Sequence, residues 1–274
     1  MRRRTAGLLT SIVLVAAGTP AAVAGQAVTS VDPTVGATGI GDPYFPEDGN
    51  GGYRVEHYDI GIDYQPSSGR LVGDTTITAT AGKALTRFNL DLLVPASEVT
   101  VDGQQADFEQ PDHELKVSPA QPLAAGARFT VRVRYAGEPA SLRHRGEKAW
   151  FTTKGGGGAV ALGQPQVAAW WFPSNDHPSD KARFDIAVTV PHGKQAISGG
   201  ALIDKTTEND RTTWHWRMPQ PMATYLAFTA IGNYRIDRGT TGTGLPFLYA
   251  YDKQMGNNVS RQRPPRHRAD RPGN

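Results

Sequence analysis

The sequence predicts an all-β fold, an antiparallel β-sandwich or saddle-like sheet with little helix. Four apolar runs alternate with polar residues at a period of two, which places one face of each strand in a core and the other in water. Turn signals separate these runs, and no long stretch has the 3.6-residue period of an amphipathic helix. Several short strands in this arrangement are typical of sandwiches and curved sheets.

The four runs follow one another through the middle of the chain. Their apolar positions are Tyr58, Ile60, Ile62 and Tyr64; Phe88, Leu90 and Leu92; Phe129, Val131, Val133 and Tyr135; and Phe184, Ile186, Val188 and Val190. The turn signals between and around them are Ser68-Gly69, Asp102-Gly103, Ala136-Gly137, His192-Gly193 and Asn209-Asp210. The glycines from Gly155 to Gly158 predict a mobile hairpin tip. The alternative is a phosphate-binding loop, but such a loop needs a helix N-terminus after it, and the sequence shows none.

Residues 1–24 have the pattern of a secretory signal peptide. Three arginines, Arg2 to Arg4, precede an apolar stretch from Ala6 to Ala17, and Ala22-Val23-Ala24 offers a cleavage site. The apolar stretch is shorter than the ~20 residues that span a bilayer. We therefore expect a secreted or extracytoplasmic protein with no membrane span after cleavage, although a membrane anchor is the alternative.

Composition narrows the class of protein further. The chain has 274 residues and no cysteine, which excludes disulfides, thiolate metal sites and cysteine nucleophiles. The formal charge is +3, but both termini are rich in arginine, and residues 25–260 carry a net charge of −4. A mildly acidic folded region does not favour nucleic acid as a partner.

The ends of the chain differ from its middle. Residues 25–50 are rich in Gly, Pro, Thr and Ala and predict a flexible lead-in, and residues 51–255 form the β domain. Residues 256–274 predict a disordered tail, since the final run RQRPPRHRADRPGN has almost no apolar side chain. An out-of-frame extension of GC-rich coding DNA explains this composition better than an evolved basic arm.

The stretch at residues 163–191 carries an ordered set of motifs. It contains Trp171-Phe172-Pro173, Asn175-Asp176-His177-Pro178, Asp180-Lys181-Ala182 and Val188-Thr189-Val190-Pro191. In this order they resemble the signature of the N-terminal domain of aminopeptidase N-type zinc metallopeptidases. Shorter runs from Val55 to Ile60 and from Pro221 to Phe228 resemble the opening and closing strands of that domain. The resemblance covers about residues 53–252 and implies a β-sheet saddle.

The resemblance also implies an activity whose residues are missing from this sequence. The intact family removes N-terminal residues from peptides with one zinc ion, held by H-E-x-x-H and a further Glu, while a G-x-M-E-N loop binds the substrate amine. The seven histidines, of which no two are four positions apart, are His57, His113, His144, His177, His192, His215 and His267. His113-Glu114 is followed by Val117 where a second histidine ligand belongs, and Gln254 to Asn257 does not supply G-x-M-E-N. We expect a chain truncated before the catalytic domain, with no catalytic residue, no zinc or other metal ligand and no activity alone.

One site residue is implied by the resemblance. Gln164, in Gly163-Gln164-Pro165, matches the position at which the family places a Gln or Glu that accepts a hydrogen bond from the substrate α-ammonium. The implied partners are the N-terminus of a peptide and the missing catalytic domain as a covalent neighbour. The alternative for this residue is an amide in a solvated loop.

The other conspicuous side chains are interpreted as structural. Trp170, Trp171 and Phe172 are expected to pack between the sheet and a neighbouring domain, and to leave an exposed apolar patch beside Gln164 when that domain is absent. The Asp176–Lys181 segment predicts a loop held by hydrogen bonds and ion pairs. In Trp214-His215-Trp216 the two tryptophans share one strand face, and His215 lies on the other.

Two functions fit these observations. The first is the substrate-recognition domain of an exported zinc aminopeptidase, and the second is a free-standing secreted β-sandwich module that binds peptide or carbohydrate. A complete small hydrolase is a weaker third, because no G-x-S-x-G elbow is present.

Overall fold

The computed structural model describes residues 32–153, 155, 157–162, 164 and 166–255, and these residues are dominated by strands. The strands are β1 (Tyr53–Gln65), β2 (Arg70–Ala81), β3 (Phe88–Asp91), β4 (Ala96–Val101), β5 (Gln104–Gln105), β6 (Asp107–Glu109), β7 (Glu114–Ser118), β8 (Arg128–Gly137), β9 (Trp150–Thr152), β10 (Ala159–Ala161), β11 (Lys181–Pro191), β12 (Gln195–Ser198), β13 (Ala201–Glu208), β14 (Arg211–Ala223), β15 (Thr229–Gly232), β16 (Tyr234–Thr240) and β17 (Pro246–Asp252). Short 3-10 turns lie at Pro139–Ser141, Ala168–Trp170, Thr224–Leu226 and Lys253–Met255. The predicted all-β class is confirmed.

The largest sheet has eight strands in the order β13-β14-β11-β1-β2-β8-β4-β5. Its ladders are antiparallel except for β1 with β11, which run parallel and pair His57 with Arg183 through Asp63 with Thr189. A parallel pair needs a long crossover, and here the chain between the two strands builds most of the remaining structure.

Three smaller sheets complete the fold. One has four strands in the order β12-β15-β10-β9, one has three in the order β3-β7-β6, and β16 pairs with β17. The strands on either side of the glycine run, β9 and β10, pair antiparallel, so this run connects a hairpin as predicted. Within the described part of the chain, no helix has the length and apolar character needed to cross a membrane.

The core is formed by the faces that alternation predicts. The apolar positions of the runs in β1, β8 and β11 are all buried. In β3 the polar positions are buried too: Asn89 is 1% and Asp91 is 2% exposed. The prediction that these two residues face water is wrong, because β3 has covered faces on both sides and Asp91 accepts hydrogen bonds from inside the protein.

Two of the predicted turns have the backbone conformation that their residues favour. Asp102 and Gly103 have φ of 50° and 78°, and Asn209 and Asp210 have φ of 48° and 60°. Asn, Asp and Gly tolerate this left-handed region and form tight two-residue hairpin turns. Ala136-Gly137, in contrast, lies at the end of β8 and is part of the strand.

The described part of the lead-in, residues 32–50, contacts the domain through polar groups. The amide of Gly36 donates to the carbonyl of Arg87 at 2.8 Å, and Lys83 Nζ donates to the carbonyl of Val35 at 2.8 Å. Asn50 is only 1% exposed. Apolar periodicity could not indicate these contacts, since they are made by main-chain and charged groups.

Candidate functional site

Gln164 lies on the surface, in the loop between β10 and the 3-10 turn at Ala168–Trp170. We call residues 162–167 the Gln164 loop; Gly163 and Pro165 within it are outside the described residues. The side chain of Gln164 is exposed. An exposed amide is free to meet a ligand, and the substrate-binding role of Gln164 stays a prediction.

The far end of the Gln164 loop is fastened to the lead-in. Gln166 Nε2 donates a hydrogen bond to Asp48 Oδ2, and Asp48 is 7% exposed. The other oxygen of Asp48 accepts from Arg145 Nη1 at 3.0 Å, and Arg145 Nη2 binds Glu47 at 2.8 Å. A charge-assisted network of this kind limits the positions that the loop can adopt.

The aromatic residues after the loop are buried inside this domain. Trp170, Trp171 and Phe172 are 1%, 0% and 0% exposed. The turn at Ala168–Trp170 directs the chain inward, where the ring of Phe172 meets that of Tyr58 edge-on at 5.6 Å. Tyr135 Oη donates to the carbonyl of Trp171 at 2.9 Å.

The expectation of an exposed aromatic patch beside Gln164 is therefore wrong. The three rings belong to the hydrophobic core of this domain and leave no exposed surface for a second domain. Alternating strand patterns could not reveal this, because the residues lie in a turn. Their burial also means that they carry no information about a neighbouring domain.

The segment after the aromatic residues is held by hydrogen bonds, as predicted. The amide of Asn175 donates to Tyr58 Oη at 2.9 Å, and the amide of Asp176 donates to Asp91 Oδ2 at 2.7 Å. Asp176 in turn accepts from the amide of Ala168 at 3.2 Å and from Thr224 Oγ1 at 2.7 Å. Burial raises the pKa of Asp176 to about 6.

A second group of titratable side chains, which sequence analysis did not find, lies beside this network. Asp112, His113, Glu114 and His144 form what we call the His–acid cluster; the imidazole rings of His113 and His144 have centroids 4.2 Å apart. Asp112 Oδ2 is 3.5 Å from His113 Nδ1 and 3.9 Å from His144 Nδ1. Glu114 Oε1 is 3.8 Å from His113 Nε2.

The His–acid cluster is buried except for Asp112, whose side chain is 72% exposed. His113, Glu114 and His144 are 9%, 8% and 9% exposed. Burial raises the pKa of Glu114 to about 7. Burial, with smaller contributions from His113 and Arg145, lowers the pKa of His144.

Sequence spacing gives little signal for this cluster. His113 and His144 are far apart in the chain, and only the two acids flanking His113 mark it. His215, by contrast, lies on the polar face of β14 as predicted, 3.2 Å from Asp185, with Trp214 and Trp216 buried on the other face.

Comparison with known protein families identifies the family to which the chain belongs. Residues 54–226 match the peptidase M1 N-terminal domain. This chain belongs to the peptidase M1 family. The matched residues include β1 except Tyr53, the signature segment at residues 163–191 and all of β14, and they therefore cover nearly all of the motifs that carry the resemblance.

Known M1 proteins support the assignment. The chain is 30% identical to the M1 zinc metallopeptidase of Deinococcus radiodurans, with a TM-score of 0.70 over 78% of this chain and 51% of that one. It is 28% identical over 143 residues to endoplasmic reticulum aminopeptidase 1 of Mus musculus and 34% identical over 64 residues to a leucyl aminopeptidase of Saccharolobus solfataricus. These matches span 15% and 8% of the respective relatives.

The zinc-binding motif of M1 peptidases, H-E-x-x-H, is not formed at His113-Glu114, the one His-Glu pair of this sequence. Glu114 is the first residue of the strand β7, His113 lies in the turn just before it, and Val117 occupies the position of the second histidine of H-E-x-x-H. In a strand, residues four apart are about 13 Å apart, too far to bind one ion. His113 and Glu114 therefore do not form an H-E-x-x-H zinc site.

Proposed function

We propose that this chain is the substrate-recognition domain of an exported zinc aminopeptidase. In this proposal Gln164 accepts a hydrogen bond from the α-ammonium group of a peptide, and a covalently linked catalytic domain supplies the zinc and the chemistry. Membership of the M1 family supports this function over a free-standing binding module.

The proposed substrate-binding role of Gln164 is based on its position. Its exposed amide follows β10 and precedes a buried turn, so the loop is anchored on both sides. The amide oxygen is an acceptor and suits an N–H donor, and a charged donor strengthens the hydrogen bond. The Asp48–Arg145 network at the end of the loop holds it in place before substrate binds.

A chimera tests the role of Gln164. Residues 32–255, which include Glu47 and Asp48, would replace the matching half of the Deinococcus radiodurans enzyme, and aminoacyl-arylamide hydrolysis would be measured. Gln164→Ala should raise KM at least about tenfold, because a hydrogen bond to a charged group is worth about 1.5–3 kcal/mol. Gln164→Glu should retain low KM, since a carboxylate accepts the same donor.

The matched control is Gln104→Ala, which removes an exposed glutamine from β5. Its KM should equal that of the parent chimera. An active chimera in which Gln164→Ala and Gln104→Ala have the same KM would refute the role of Gln164.

Export is the second part of the proposal and is supported by the pattern of residues 1–24. Cleavage after Ala24 would remove the arginine-rich start and the apolar stretch. Sequencing the N-terminus of protein recovered from the culture medium should find Gly25 first. Recovery only from the cytoplasm, with Met1 or Arg2 first, would contradict export.

A further inference from the structure

Two loops that are distant in the chain bring three metal-ligand side chains together. Asp112 and His113 lie in the turn before β7, and His144 lies in the turn that ends at Glu147. One ligand atom from each of Asp112, His113 and His144 lies within 4.8 Å of the other two. We propose that these three residues bind a divalent transition-metal ion of the zinc class.

The spacing of the ligand atoms fits tetrahedral coordination. With metal–ligand bonds of about 2.0–2.1 Å, the ligand atoms of a tetrahedral zinc lie about 3.4 Å apart. Asp112 Oδ2 is 3.5 Å from His113 Nδ1 and 3.9 Å from His144 Nδ1. Small side-chain rotations close the remaining differences, and water completes the fourth position.

The buried imidazole of His113 provides an independent indication of a ligand. Neither of its ring nitrogens has a hydrogen-bond partner among the described residues. Buried polar groups are rarely left in this state. A metal ion bound to Nδ1 of His113 would give that nitrogen a partner. The ring proton would then be on Nε2, which would act as a hydrogen-bond donor.

Glu114 is placed to receive that donor. Its Oε1 lies 3.8 Å from His113 Nε2, on the opposite side of the ring from Asp112. Metal-binding histidines usually donate their second N–H to a carboxylate or carbonyl, which orients the ring and strengthens the bond to the metal. His113 and Glu114 would have this arrangement once the distance of 3.8 Å shortened to that of a hydrogen bond.

The chemical types of the three ligands determine which metal ion the site prefers. Two imidazoles and one carboxylate suit zinc, cobalt and nickel, whereas calcium and magnesium require oxygen ligands. The side chain of Asp112, which is 72% exposed, gives the ion a path from solvent. Asp112 has φ of 55°, a left-handed conformation that Asp tolerates in turns.

A bound ion would couple the two loops to the Gln164 loop. His144 is next to Arg145, which binds Asp48, and Asp48 accepts a hydrogen bond from Gln166. Any effect on substrate selection rests on the proposed function, but metal binding does not. The test is therefore made on the full chain without a catalytic domain.

The experiment is titration of chelator-treated full chain with zinc, followed by calorimetry and by the melting temperature. Binding of one zinc ion per chain with a raised melting temperature is expected, and cobalt should give the visible bands of tetrahedral coordination. Asp112→Asn and His144→Gln should each abolish or weaken binding more than tenfold. Glu114→Gln should weaken it by about 10- to 100-fold.

The controls are Asp107→Asn and His192→Gln, which change an exposed acid and an exposed histidine. Both should bind zinc as the parent does. Because the side chain of Asp112 is exposed, Asp112→Asn should fold, which circular dichroism would check. The absence of zinc binding, or binding that Asp112→Asn and His144→Gln leave unchanged, would overturn the proposal, as would preference for calcium over zinc.

Discussion

The buried carboxyl group of Asp176 links the Gln164 loop to the rest of the core. It accepts a hydrogen bond from the amide of Ala168 at the start of the aromatic turn and another from Thr224, and its own amide binds Asp91. The Asn-Asp-His-Pro motif indicated a hydrogen-bonded loop. It could not indicate that Asp176 is buried or which distant residues bind it, because those partners depend on the tertiary fold.

The pKa of Asp176 leads to a prediction about stability and pH. Burial raises the pKa from 3.8 to about 6, so the folded state holds this proton more tightly than the unfolded state. The stability that results is present below pH 3.8 and is lost as the pH rises through about 6. Electrostatic repulsion by Asp48 raises the pKa of Asp176 in the same direction, whereas the hydrogen bonds from Thr224 and from the amide of Ala168 lower it.

Asp176→Asn removes this titration and keeps the shape of the side chain. The free energy of unfolding of the variant, relative to the parent, should increase between about pH 4 and 7 by on the order of 2 kcal/mol. Urea denaturation at several pH values measures the difference. A difference that is constant or decreases over this interval would contradict the assignment.

At the level of elements, the sequence predicts strands well and their pairing poorly. Alternation identifies the buried faces of β1, β8 and β11, since a period of two follows directly from strand geometry. It does not identify the parallel pairing of β1 with β11, because register depends on the crossover between them. Nor does it identify β3 as a strand that is buried on both faces.

The close contact between β2 and β8 predicts that a larger residue at Gly73 destabilises the fold. Tyr135 on β8 lies over this glycine, and a Cβ built at Gly73 would be 2.0 Å from Tyr135 Cζ. Displacing the ring would break its hydrogen bonds to Thr75 and to the carbonyl of Trp171. Gly73→Ala should therefore reduce the free energy of unfolding by about 1–3 kcal/mol or more.

Denaturant unfolding measures this effect, with Gly199→Ala as the control. The nearest atom to a Cβ at Gly199 is 4.0 Å away, so that variant should differ from the parent by less than about 0.5 kcal/mol. The loss in Gly73→Ala should be smaller when Tyr135 is already alanine, because the two residues are in contact. Equal effects of Gly73→Ala and Gly199→Ala would show that the ring is free to move.

At the level of the whole molecule, the chain covers 51% of the M1 zinc metallopeptidase of Deinococcus radiodurans. The family could be predicted from sequence because many motif residues occur in one order. The role of the aromatic residues could not, since a Trp-Trp-Phe run suits an interface and a core equally well, and here the core contains it. The His–acid cluster could be found only from the structure, because its residues come from two separate turns.

The role proposed for Gln164 is the selection of peptides by their free amino group. The most direct measurement compares L-leucine amide with its desamino analogue as competitive inhibitors of the active chimera, before and after Gln164→Ala. We expect the parent to bind the amine-bearing compound more tightly and Gln164→Ala to reduce this preference by about 10-fold or more. A preference that is the same in both proteins would contradict it.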